Sequence, residues 1–95
     1  MIVVYAKCVV SEQHKEEFLE LAKKLVEETR KESENISYQL IASRESKNIY
    51  AFLEQWPSQE ALDIHMKTAH FQHLIAEISK NIEGKLEITT HEIVK

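Results

Sequence analysis

Glycine, proline and cysteine each occur once in the 95 residues, as Gly84, Pro57 and Cys8. One glycine cannot build the Gly-rich turn that cradles a nucleotide phosphate, so no flavin or nucleotide held in that way is expected. One cysteine cannot close an internal disulfide. The net charge of −4 supplies no cationic surface for phosphates, and no stretch has the unbroken apolar length of a membrane span. Neither nucleic acid nor a membrane is an expected partner. The opening MIVVYAKCVV enters a strand pattern without the charged leader and cleavage site of a secretory signal, so the expected location is the cytoplasm.

What is present reads as one domain over residues 1–95, of a size that buries only about 60–65% of its unfolded surface and gains from association. Ile2 to Val10 is a strand that is apolar on both faces. Val4, Ala6 and Cys8 lie on one face, and Val3, Tyr5 and Val9 on the other. Helices on one side cover only one face, so a second layer is required, most simply the same sheet of a second copy: a homodimer. Which face turns outward is open at this level. Cys8 sits in a strand interior with no base beside it and reads as core.

Ser11 is placed to cap a helix running to about Glu32, with Phe18, Leu21, Ala22, Leu25, Val26 and Thr29 on its stripe and Glu20–Lys24 and Glu27–Lys31 paired outside. Asn35 is the expected left-handed residue of the following turn. A strand from Ile36 to Ser43 and another from Ile49 to Trp56 form a hairpin ended by Pro57. Ser58 caps a short helix from Gln59, and Thr68 caps a second whose stripe is Phe71, Leu74, Ile75, Ile78 and Ile82. Gly84 is the expected stop, before a last strand from Leu86 to Val94. The order β, α, β, β, α, β, with its second helical stretch broken at Lys67 and Thr68, is the split βαβ of a ferredoxin-like α+β sandwich. That predicts a four-stranded antiparallel sheet with helices on one face.

Chemistry gathers between Tyr50 and Leu74. His65 falls between Ala61 and Leu62 on the helical wheel and points inward. Two readings stand: a general base in an apolar pocket, or a neutral core histidine with both nitrogens bonded, Glu54 being the partner at hand. Glu54 either orients His65 or pairs with Lys7 or Arg44 across a dimer interface. Tyr38, Phe52, Trp56, His70 and Phe71 are the candidates to touch a substrate, although aromatic stripes at these spacings fill cores first. His14, His73 and His91 are expected at the surface. No metal site is expected, because His65 and His70 lie five apart across a helix break and only His70 and His73 share a helical spacing.

The spaced residues Glu54, Trp56, Ser58, Glu60, Ala61, Leu62, His65, His70, Phe71 and Leu74 resemble the antibiotic biosynthesis monooxygenase family. The resemblance extends over nearly the whole chain. It implies ferredoxin-like domains paired into a dimeric α/β barrel, and a monooxygenase that works without cofactors on a small quinol or polyphenol with dioxygen. Other branches of the family degrade haem or isomerise a phosphorylated linear sugar. In haem-degrading members a tryptophan stands at the position of His65 and a histidine ligand at that of Ile75, so that branch does not fit. The sugar branch suits His65 but lacks basic residues near the motif, and a non-catalytic dimeric binding or stress protein is the remaining alternative.

Overall fold

A computed structural model describes residues 1–95. Four antiparallel strands, β1 (Ile2–Val9), β2 (Ser37–Ala42), β3 (Ile49–Trp56) and β4 (Glu83–Glu92), form one sheet in the order β2-β3-β1-β4. Three helices, α1 (Lys15–Thr29), α2 (Gln59–Lys67) and α3 (Ala69–Ser79), complete the α+β ferredoxin-like arrangement. No helix is long and apolar enough to cross a membrane.

The pleat decides the two sheet faces. Val4, Ala6 and Cys8 of β1, with Phe52, Glu54 and Trp56 of β3, are buried on the helix side, where α1 adds Phe18, Ala22 and Leu25. Val3, Tyr5 and Val9 lie on the opposite face and are half-exposed, which settles the question the sequence left open. Burial pushes the Cys8 thiol up to about 12, so it is a core residue and not a nucleophile.

Local signals set most boundaries. The Ser58 hydroxyl accepts from the Ala61 N–H at 3.2 Å at the start of α2. Thr68 does the same for Phe71 at 3.2 Å at the start of α3 and also donates to the His65 carbonyl at 2.7 Å. Four expectations are corrected. Ser11 makes no capping bond: a 3₁₀ turn, Glu12–His14, precedes α1, and the Ser11 hydroxyl bonds His14 Nδ1 at 2.9 Å. Neither expected surface pair, Glu20–Lys24 nor Glu27–Lys31, forms: at the end of α1 Lys31 pairs instead with Glu28 at 2.9 Å, three residues back. No non-glycine residue has positive φ, so Asn35 is not left-handed; its side chain instead donates to the Ser37 carbonyl at 3.1 Å. Gly84 does not stop α3 but lies inside β4, with φ of 70°, where the β1–β4 register shifts opposite Cys8.

Candidate active site

Three segments distant in sequence converge on His65. It sits in the last turn of α2 with Ala61 and Leu62 on its buried face, and it is only 1% exposed. The Trp56 ring lies 4.6 Å from the imidazole at 34°, and Phe71 meets it edge-on at 4.8 Å. Its Nδ1 is 2.8 Å from Oε2 of Glu32, just beyond α1, and His70 Nε2 reaches that same oxygen at 2.7 Å. A carboxylate oxygen only accepts, so His65 carries its proton on Nδ1. Its Nε2 is buried and has no hydrogen-bond partner. Burial lowers the His65 pKa, with Glu32 acting in the opposite direction and His70 adding to the fall.

His65 lines a mostly apolar cavity of about 110 Å³ between the sheet and helices α2 and α3. The cavity walls also include Tyr38, Phe52, Glu54 and Phe71, all sequence candidates. One row across the sheet pairs Tyr38 with Glu54, Glu54 with Val4, and Val4 with Thr90. Tyr38 and Glu54 are 1% and 5% exposed, whereas Ile88, on the helix side of the edge strand β4, is 49% exposed. The cavity therefore opens along β4, where Thr90 is exposed, and keeps its ionisable groups, Tyr38, Glu54 and His65, at the closed end. Trp56 and His70 are not on its wall; each acts on His65 or its partner from behind. His73 and His91 are exposed, as expected.

Glu54 does not bond His65, makes no pair with Lys7 or Arg44, and faces the helices and not the outward side of the sheet. Its Oε1 accepts from the Trp56 indole at 2.9 Å. Burial raises its pKa to about 7, although the Trp56 indole and the Tyr38 hydroxyl favour the anion. At neutral pH the site thus combines a free imidazole nitrogen with a carboxyl group that is substantially protonated, a pairing suited to taking one proton and donating another. Tyr38 is raised by burial and by the neighbouring Glu54 and stays a neutral phenol.

Glu32, missed from sequence, was within reach of the periodicity. Positions 18, 22, 25 and 29 mark the buried stripe of α1, and Glu32 is its next step. The sequence argument against a metal is corrected in its premise: the helix break brings His65 and His70 together, and with Glu32 they offer three donor atoms within 4.8 Å. Those atoms are spaced as hydrogen bonds, at 2.8 and 2.7 Å, where neighbouring donors around a tetrahedral zinc ion stand about 3.3 Å apart. As arranged, the cluster is a hydrogen-bond network.

The model of the antibiotic biosynthesis monooxygenase family matches residues 1–77. The chain belongs to that family. A Bacillus subtilis (strain 168) relative named "Putative monooxygenase YcnE" is 33% identical over 93 residues, covering 98% of both chains. A solved antibiotic biosynthesis monooxygenase superposes with a TM-score of 0.94 at 29% identity, covering 100% of both chains. A conserved protein from Methanosarcina mazei Go1 gives 0.92 at 33% identity, over 95% of this chain and 89% of its own. The antibiotic biosynthesis monooxygenase fold thus accounts for all four strands and three helices, and the family supports a monooxygenase-like function.

Proposed function

We propose that the protein is a homodimeric monooxygenase that acts on a small quinol or polyphenol, uses dioxygen and needs no cofactor. The observation that carries this reading is that His65, a buried residue on the wall of an apolar cavity, leaves its Nε2 without a hydrogen-bond partner. A hydroxyl entering from the β4 side gives its proton to Nε2, and the electron-rich anion passes an electron directly to dioxygen. One oxygen atom enters the ring and the other leaves as water, with substrate supplying the electrons and hydrogens. Protonated Glu54 donates to an oxygen that gains negative charge, and the apolar walls keep water from the radical pair. An empty volume beside an unpartnered imidazole nitrogen favours catalysis over a purely structural histidine. No lysine or arginine lines the cavity, so a phosphorylated sugar finds no counter-charge there.

The dimer reading rests on the outward sheet face. Val3, Tyr5 and Val9 are only half covered, and Ile41 on β2 is 37% exposed. A second sheet over this face would bury them.

Oxygen uptake on a panel of chemically reduced benzoquinones and naphthoquinones tests the activity. The expected result is one labelled oxygen atom from dioxygen in the product, and a loss of about 10²–10⁴-fold in His65→Gln with the fold intact. His73→Gln, on the exposed side of α3, should match the parent. Uptake no faster than the spontaneous reaction across the panel, or full activity in folded His65→Gln, would remove this reading.

A further inference from the structure

Two carboxyl groups approach the buried histidine, and they differ in kind. Glu54 shares the cavity with it and makes no bond to it. Glu32 bonds its far nitrogen from the opposite side and lines a separate outer depression with Ser33, Ala61 and Thr68. Glu32 follows α1 and His65 lies in the last turn of α2, so this contact, across 33 residues of sequence, helps join the two halves of the fold at the site. His70, at the start of α3, spans 38 residues to reach the same oxygen.

We propose that Glu32 is the positioning residue of the base: it fixes the Nδ1–H form of His65, leaves Nε2 as the proton acceptor facing chemistry, and stabilises the imidazolium that forms. His70 serves as its clamp, holding the Glu32 carboxylate in place. This rests on the reading of His65 as the base. An imidazole with no partner on Nδ1 divides its population between two neutral forms, and only one of them has a lone pair on Nε2. A carboxylate on Nδ1 removes that ambiguity and lies close enough to offset the charge created by proton transfer, the arrangement of acid–base dyads in general. Glu32 cannot reach substrate itself, because the imidazole stands between it and the cavity, so its effect passes through His65. The ionisable groups that face the imidazole are Glu32 after α1, Tyr38 on β2, Glu54 on β3 and His70 on α3. Only Glu32 bonds a nitrogen of its ring.

Nitrogen NMR of the imidazole rings tests the assignment without any substrate. The parent should show neutral His65 with Nδ1 protonated. Glu32→Gln, whose amide oxygen still accepts from Nδ1–H, should keep that form while the titration midpoint of His65 falls; Glu32→Leu should lose the form itself. On a reduced quinol, Glu32→Leu should lower turnover about 10–100-fold, with Glu32→Gln less affected and its acid limb moved to lower pH. His70→Leu, which removes the N–H that holds Glu32, should fall partway towards Glu32→Leu, and His70→Gln, which keeps an N–H for Glu32, should recover part of that loss. A His65 protonated on Nε2 in the parent, or a midpoint and tautomer indifferent to both Glu32 variants, would overturn the proposal. Unchanged turnover in Glu32→Leu while His65→Gln is inactive would do the same. Full activity in His65→Gln would instead sink the assignment of the base, leaving the NMR result to report on Glu32 alone.

Discussion

The indole N–H of Trp56 donates to Oε1 of Glu54 at 2.9 Å, two residues along the same strand and on the same face. That bond favours the ionised carboxylate and holds its pKa to about 7 against burial. It gives the site a definite pH response. Turnover should rise with pH as His65 loses its proton, through a midpoint that burial places below the ordinary 6.5. It should fall again near pH 7 as Glu54 ionises. Trp56→Phe keeps an aromatic ring against His65 but removes the donor, so Glu54 should hold its proton to higher pH and the alkaline limb should move up. Rate profiles of the two proteins decide the matter; coincident alkaline limbs would separate Glu54 from catalysis.

The same carboxyl group leaves a mark on stability. Its pKa is raised on folding, from 4.5 to about 7, so the native state binds the proton more tightly than the unfolded chain. This contribution is complete below pH 4.5 and is lost as pH rises through about 7. Relative to Glu54→Gln, the parent should therefore lose roughly 3 kcal/mol across that window. His65 contributes with the opposite sign. Its lowered pKa costs stability as pH falls below 6.5, and this part should persist in Glu54→Gln. Denaturant titrations of both proteins at intervals from pH 4 to 8 would measure the difference, and parallel curves would contradict it.

For the proposed dimer, the outward sheet face supplies the residues to alter. Glutamate at Val3 or Val9 places charge on the outward face and should give a monomer of lower melting temperature, read by light scattering at micromolar concentration. Glutamate at Val4, which is 2% exposed on the helix side, should prevent folding altogether. A parent protein that is already monomeric would end the dimer reading.

Gly84→Ala should cost about 1 kcal/mol. No heavy atom lies within 4 Å of the added methyl, so the whole penalty comes from the φ of 70°. The melting temperature should fall by about 4–8 °C for a domain of this size. An unchanged value would mean the strand relaxes to negative φ.

Much of the fold was legible because its signals are local. The bounds of β3 follow from alternation and Pro57, and the starts of α2 and α3 from Ser58 and Thr68, each read within four residues. The inward orientation of His65 followed from two apolar neighbours on the same helix. Its partner did not follow. Glu54 was the nearer carboxylate in sequence, yet Glu32 makes the bond from 33 residues away, and helix spacing says nothing about what a neighbouring element brings. The meeting of His70 with His65 did not follow for a related reason: the sequence shows the break at Lys67 and Thr68 but not the angle of the turn, which brings both imidazoles to one oxygen of Glu32. Asn35 and Gly84 show a milder form of the same limit, since their residue types suggested turn roles that the surrounding backbone assigns otherwise.

The turn at Thr68 also determines where the chain tolerates a change of length. In one continuous helix, residues five apart are separated by about 7.5 Å along the axis and roughly 140° around it, and they could not meet on one oxygen. At Thr68 the hydroxyl closes α2 by donating to the His65 carbonyl and opens α3 by accepting from the Phe71 N–H, so a single side chain sets the distance between the two imidazoles. The turn between β2 and β3 can lengthen without moving any member of the Glu32 cluster. One residue inserted or removed between His65 and His70 would rotate the second imidazole away from Glu32 while leaving every strand in register.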